Sequence, residues 1–350
     1  IAAQNCHVDA IKALCAVGAN INAPNNDGVT PVCMAADNSH VDEIKALCGL
    51  GADFNTPTND GVTPVCMAAG NGCVDVINAL CALGADINAQ DKYGYTPVYT
   101  AARGGHMDAV KALCDLGADI NTANNGGFTP ICVASQNGRL DTVKVLWQLG
   151  ADINTPTNDG ATPVYMAAYG GHVDAIKVLC ALGADVDTPN KDDTTPAYMA
   201  AHVGRGDTIK ALCALGADVN APNKNGTTPV YMAAANGHVD TIKALCGLGA
   251  DVNTPNKDGE TPVFIAAQYG HVDTIKVLCA LGTDINTPNK DGATPVYMAA
   301  QKGHVDAIKA LCALGADVNT PDKNGFTPIF MAAQHGHVDV IKALCALGAD

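Results

Sequence analysis

The side chains with most chemistry to offer here are cysteine and histidine, and both recur at a fixed interval. Cys15, Cys48, Cys81, Cys114, Cys180, Cys213, Cys246, Cys279, Cys312 and Cys345 fall 33 residues apart, with Trp147 taking the one vacant slot. Regularly spaced thiols could form a disulfide ladder or share metal ions. His7, His40, His106, His172, His238, His271, His304 and His337 each stand two residues before an aspartate, a pairing that general acid–base catalysis could use. Both chemistries depend on how close the elements bring one rung to the next. Stacked helices sit ~8–10 Å apart, whereas a disulfide needs Cα atoms within about 7 Å. Neighbouring rungs are therefore not expected to bridge or to share a metal. The cysteines read as small apolar core residues. The histidines read as turn residues bonding local backbone, because a catalytic group copied eight times along one chain is improbable.

The interval belongs to the whole chain. Thr-Pro recurs at Thr30, Thr63, Thr96, Thr129, Thr162, Thr195, Thr228, Thr261, Thr294 and Thr327, always 33 residues apart. A period of that length marks a solenoid. Such a chain can reach 350 residues without one large core, because each unit packs only on its neighbours.

Residues 291–321 show the logic of one unit. Asp291-Gly292 is a turn signal. Thr294 is placed to cap a helix, and Pro295 takes the first helical position, where a missing N–H costs nothing. Val296, Met298, Ala299 and Ala300 continue a short helix that Gly303 ends. Asp306 lies in the first turn of a second helix, favourable to its dipole. Ile308, Leu311 and Cys312, spaced i, i+3, i+4, are assigned to its buried face, and Gly315 stops it. Ala316 to Pro321 lead to the next unit through an extended turn.

Asp-Gly-x-Thr-Pro, the paired alanines, Gly-His-Val-Asp and Gly-Ala-Asp-Val-Asn together resemble the ankyrin repeat, and the resemblance covers all 350 residues as eleven helix pairs. It implies an all-α solenoid, with a helix-turn-helix and an extended, β-hairpin-like loop in each unit. Residues 1–350 are expected to form one continuous repeat domain, a segment of a longer array. Two slots depart from the family pattern. Its histidine after Thr-Pro-Leu is here Cys33, Cys66, Tyr99, Cys132, Tyr165, Tyr198, Tyr231, Phe264, Tyr297 or Phe330, and the second leucine of its longer helix is cysteine. The sixth unit departs further: Asp193 replaces the turn glycine, Ala197 a core valine and Gly206 the valine opening the second helix, so the stack is expected to be weaker there.

In proteins of this family the hairpin tips and the first-helix face line a concave, partner-reading surface. Internal comparison shows where this chain varies at such places. Before Thr-Pro it carries Tyr95, Phe128, Glu260 and Phe326 among smaller residues; at the end of the first helix it carries Arg103, Tyr169, His202, Tyr269, Lys302 and His335. These ten are the candidate partner contacts, with exposed aromatics as the anchors.

Composition narrows the partner. The net charge is −15 with only three arginines, so a phosphate backbone is an unlikely ligand. No apolar run approaches the ~18 residues of a membrane span. The Asn-Lys-Asp-Gly loops lack the acidic spacing of an EF-hand, and Arg205-Gly206-Asp207 sits in the ordinary repeat register. No unique nucleophile, metal cluster or phosphate loop stands out, so no enzyme, cofactor, metal or small-molecule substrate is expected. Many free thiols fit a reducing, cytoplasmic compartment, with a cell-surface filament as the alternative. The leading expectation is a protein-binding scaffold. The alternative is a structural, self-associating or elastic filament array, since near-identical units suit a repeating partner or another copy. Less favoured is a recruiting arm for a catalytic domain lying outside these residues.

Overall fold

A computed structural model describes residues 7–350, which form 21 α-helices and no strand. The first helix that the sequence leads one to expect in the opening repeat lies outside the described residues. Ten complete pairs follow its second helix, each pairing a first helix of 7–8 residues with a second of nine, as in Pro295–Lys302 and Val305–Ala313. The helices divide between two compact units, residues 1–184 and 185–350. Within each unit, first helices pack on first helices of the next repeat and second on second. Two helices this short cannot bury enough surface alone, so neighbours supply the core.

Local chemistry sets the helix ends as the sequence implies. Thr294 Oγ1 accepts from the Tyr297 amide at 3.2 Å, with Pro295 at the first position. Gly303 closes the helix in the left-handed region at φ 86°. The hairpin turn is pinned by an asparagine: Asn289 Oδ1 accepts from the amides of Asp291 (3.0 Å) and Ala293 (2.9 Å). Asp193 occupies the turn-glycine slot at φ 58°, so the sixth repeat keeps its turn by holding a side chain where glycine is favoured.

The core is an aliphatic stripe, and the cysteines are at its rim. Ile308 and Leu311 are fully buried, but Cys312, like most of its ladder, is half-buried, and Cys345 is exposed. The core assignment of these cysteines is thus corrected. At about 100° per residue, Ala307, Leu311 and Ile308 span the buried arc, and Cys312 lies beyond its edge. A rim position also explains Trp147 in the same slot, which no core site sized for cysteine would admit; it is 42% exposed. Among the described residues, the buried thiols are those of the first helices, Cys33, Cys66 and Cys132. Burial pushes the Cys66 thiol up to about 11 and the Cys132 thiol up to about 12, far from thiolate chemistry at neutral pH.

Within each unit, polar ties connect one repeat to the next. The Lys323 amide donates to the carbonyl of Asp291 at 2.9 Å, one hairpin to another. Asn286 Oδ1 accepts from the Asp317 amide at 3.0 Å, and the same slot does so in both units, as at Asn22 (2.8 Å) and Asn220 (2.9 Å). The histidines belong to this set. His304 Nε2 lies 3.0 Å from the carbonyl of Gln268 and His337 Nε2 3.1 Å from that of Gln301, each 36 residues back. A carbonyl only accepts, so Nε2 carries the proton. These rings bridge repeats rather than bond local backbone, which corrects the expectation for them.

One rung of the asparagine ladder is a carboxylate. Asp187 accepts from the Asp218 amide at 3.0 Å, but it cannot donate as Asn220 does through Nδ2 to the Gly249 carbonyl at 3.3 Å. Burial, then the nearby Asp218 and Asp185 carboxylates, raise its pKa above the usual carboxylate range. A raised acid pKa means that the folded state binds the proton more tightly. The charged form therefore weakens folding at neutral pH, and the penalty fades as pH falls through the raised value toward 3.8. Asp187→Asn should stabilise unit 2 by ~0.5–1.5 kcal/mol at pH 7, the worth of one added hydrogen bond. Urea titrations at pH 7 and pH 4 check this: the gain should be larger at pH 7.

Candidate partner-binding face

Thr-Pro ties each hairpin directly to the first helix that follows it, and the ten candidates fall into three slots, one just before that helix and two at its end. Arg103, Tyr169 and His202 stand seven residues after their Thr-Pro threonine, while Tyr269, Lys302 and His335 stand eight after theirs. All six are exposed. The slot before Thr-Pro is more enclosed than its sequence suggests. Phe326 is 41% exposed, but Tyr95, Phe128 and Glu260 are half-buried.

The enclosure has specific partners. Tyr95 stacks flat on Tyr99 of the following helix, with ring centroids 4.6 Å apart and planes 4° from parallel. One turn on, the Arg103 guanidinium sits 5.3 Å from the centre of the Tyr95 ring. Tyr93, at the hairpin tip, lies 5.6 Å from Tyr95, and Lys92 Nζ stands 5.0 Å from the Tyr93 ring centre. Two sequence candidates, Tyr95 and Arg103, are thus brought into one aromatic-cationic cluster in unit 1.

Unit 2 carries a smaller counterpart. Phe326 stacks on Phe330 with centroids 4.5 Å apart, and His335 stacks on His337 at 6.1 Å. Tyr269 is 53% exposed, its ring 6.2 Å from that of His271. Glu260 is engaged internally: its Oε2 accepts from Tyr231 Oη and from Asn256 Nδ2, both at 2.9 Å. Burial and the Glu260 charge push the Tyr231 phenol well above its usual range, so the bond has a fixed donor. The tyrosines in the slot after Thr-Pro-Val share this role. Tyr198 Oη bonds Thr227 Oγ1 at 2.9 Å, and Tyr297 donates to Asp322 at 3.2 Å, each reaching the next hairpin.

Three exposed aromatics escape the sequence candidates. Tyr93 replaces the usual Asp or Asn of the hairpin tip and is 51% exposed; Trp147 and Phe330 are 42% and 45% exposed. The slot-by-slot comparison that singles out Tyr95 would have found Tyr93 two slots earlier. Among the described residues, no group of three or more His, Cys, Asp or Glu side chains is arranged to hold a metal ion. No described helix is long and apolar enough to cross a membrane.

A family model built of three ankyrin repeats matches the chain at residues 1–91, 83–157, 149–223, 214–289 and 280–350. Together these matches span its whole length. No curated protein matches the chain.

Proposed function

Because the chain belongs to the ankyrin repeat family, whose members are in general protein–protein interaction modules, we propose that it is a non-enzymatic scaffold that binds a protein through its hairpin tips and first-helix ends. The carrying observation is where the units differ. Core slots hold near-copies, while this face alternates alanine, arginine, tyrosine, histidine, lysine and phenylalanine. Aromatic and arginine side chains supply most of the energy at protein interfaces, and Tyr93, Tyr269 and Phe326 present such rings to solvent.

A second reading, a self-associating array, is favoured by a different feature. The leucine that ends each second helix is 38–44% exposed at Leu50, Leu83 and Leu116 in unit 1 and at Leu215, Leu281 and Leu314 in unit 2. One apolar side chain per repeat at a constant place is a pattern that another copy could match.

One comparison separates the two. The tagged chain, a Tyr269→Ser/Phe326→Ser variant and a Trp147→Ser/Leu281→Ser variant are each used to capture proteins from a lysate of the source cells. Light scattering across concentration accompanies each sample. The scaffold reading expects a protein held by the first and third chains and lost from the second, since removing two anchors costs ~2 kcal/mol or more apiece. Mass that grows with concentration, and stops growing only in the Trp147/Leu281 variant, would overturn it in favour of self-association.

A further inference from the structure

From the cluster around Tyr95 we infer the chemistry of the partner: an acidic, extended segment of another protein, whose carboxylates are received by Arg103 and Arg139. The inference rests on the scaffold reading and narrows it. In a chain of net charge −15, basic side chains have carboxylates in reach, and four of the lysines of unit 1 use them. Lys111, Lys144 and Lys177 in unit 1 each pair with the aspartate three residues earlier in their own helix, and Lys92 pairs with Asp60. Arg103 and Arg139 form no ion pair among the described residues. They are also neighbours. Arg139 Nε donates to the Arg103 carbonyl at 3.4 Å, although the two lie one repeat apart.

Their surroundings keep both guanidinium groups displayed. The Arg103 guanidinium lies 5.3 Å from the Tyr95 ring centre, and its side chain is exposed, so its N–H donors are open to bidentate pairing with a carboxylate. Arg139 occupies the slot that holds histidine in most repeats, and its chain crosses Gly105, where a Cβ would come within 2.7 Å of its Cδ. Glycine there lets the side chain lie along the surface. Tyr93 and Tyr95 add apolar area beside the charges. Arg103 beside two aromatic rings, with Arg139 bonded to its carbonyl and neither arginine ion-paired, complements a segment that carries Asp or Glu next to an apolar side chain. Acids around the cluster have partners of their own: Asp91 accepts from the Tyr93 and Tyr95 amides, Asp60 pairs with Lys92, Asp108 with Lys111 and Asp141 with Lys144.

The probes are three fluorescein-labelled dodecapeptides, alternating Glu/Leu, Gln/Leu and Lys/Leu, titrated with the full chain and read by anisotropy. The key variant is Arg103→Gln/Arg139→His, which installs residues that this fold already holds in the same slots at Gln136 and His106. Circular dichroism confirms its fold, and Arg205→Ala, a substitution in unit 2, is the charge control. The Glu/Leu peptide should bind at least tenfold tighter than the Gln/Leu peptide, lose at least tenfold in the double variant, weaken as salt is raised, and be unaffected by Arg205→Ala. Equal binding of the acidic and neutral peptides, no peptide binding, or an acidic preference that persists in the double variant would overturn the inference. The broader reading fails separately. A neutral peptide bound by the wild-type chain and lost from Tyr269→Ser/Phe326→Ser would leave the scaffold face standing with no acidic preference; capture by that variant equal to wild type would remove the face itself.

Discussion

Replacing Glu43 with valine should stabilise the chain by ~2 kcal/mol or more at neutral pH, because it removes a carboxylate enclosed without a donor. Glu43 is the third residue of the helix Val41–Gly49 and is fully buried, and neither of its side-chain oxygens has a hydrogen-bond partner among the described residues. Its slot faces the core in the other repeats, where it holds Val76, Ala109, Thr142, Ala175 and Val340, all buried. In unit 2 the equivalent Thr241 lies against Gly206 of the preceding repeat, so this is a packing position between repeats. The positive end of the helix dipole offsets part of the cost, by ~0.3–1 kcal/mol in such settings, which is less than the desolvation penalty of an unpaired buried group. Valine is the natural choice because two repeats already accommodate it. Glu43→Gln tests the cause: it keeps the volume and removes the charge, and should recover only part of the gain, because an amide left unpartnered still carries a penalty. Denaturant unfolding of the three chains measures both steps. A valine variant no more stable than wild type would mean that the carboxylate finds a donor.

How far such features can be read from sequence depends on the distance over which they act. The helix pairs, their threonine caps and glycine stops were legible because each is settled within four or five residues and then copied every 33 residues. The rim position of Cys312 was not, because i, i+3, i+4 spacing identifies a stripe without saying where its centre lies; only the packing of Ala307 and Leu311 places that centre. The histidine bonds escaped for a related reason. His304 reaches Gln268, 36 residues back, and this offset is a property of how repeats stack and not of the turn that holds the ring. On the candidate face, variability singled out slots but not their exposure. Tyr95 and Phe326 occupy the same slot, each stacked on an aromatic of its own first helix, Tyr99 and Phe330, yet one is half-buried and the other exposed. Glu260 looked like a free charge until Tyr231, from the preceding repeat, was seen to donate to it.

One of these close contacts between repeats can be measured against an internal control. Gly249 and Gly270 do the same local work: each follows a helix cap in the left-handed region, at φ 92° and 72°, with its amide bonding a carbonyl three residues back, Cys246 at 3.1 Å and Ala267 at 3.2 Å. They differ in what lies above them. A Cβ on Gly249 meets nothing within 4 Å, whereas a Cβ on Gly270 would sit 2.8 Å from Nδ1 of His304, in the next repeat. Gly249→Ala should therefore cost only the backbone term, ~1–2 kcal/mol. Gly270→Ala adds the clash with a ring that its bond to the Gln268 carbonyl holds in place. Its total should reach ~3 kcal/mol, with overpacking supplying the excess. The histidine can be tested directly as the cause. In a His304→Ala background the ring is gone, and Gly270→Ala should fall back to the cost seen at Gly249, so a double-mutant cycle should return a coupling of ~1 kcal/mol or more. Equal costs at the two glycines in the wild-type chain would show that the ring swings aside freely. The histidine would then be a passenger at the junction between repeats, and the hairpin and asparagine ties would carry its polar cohesion.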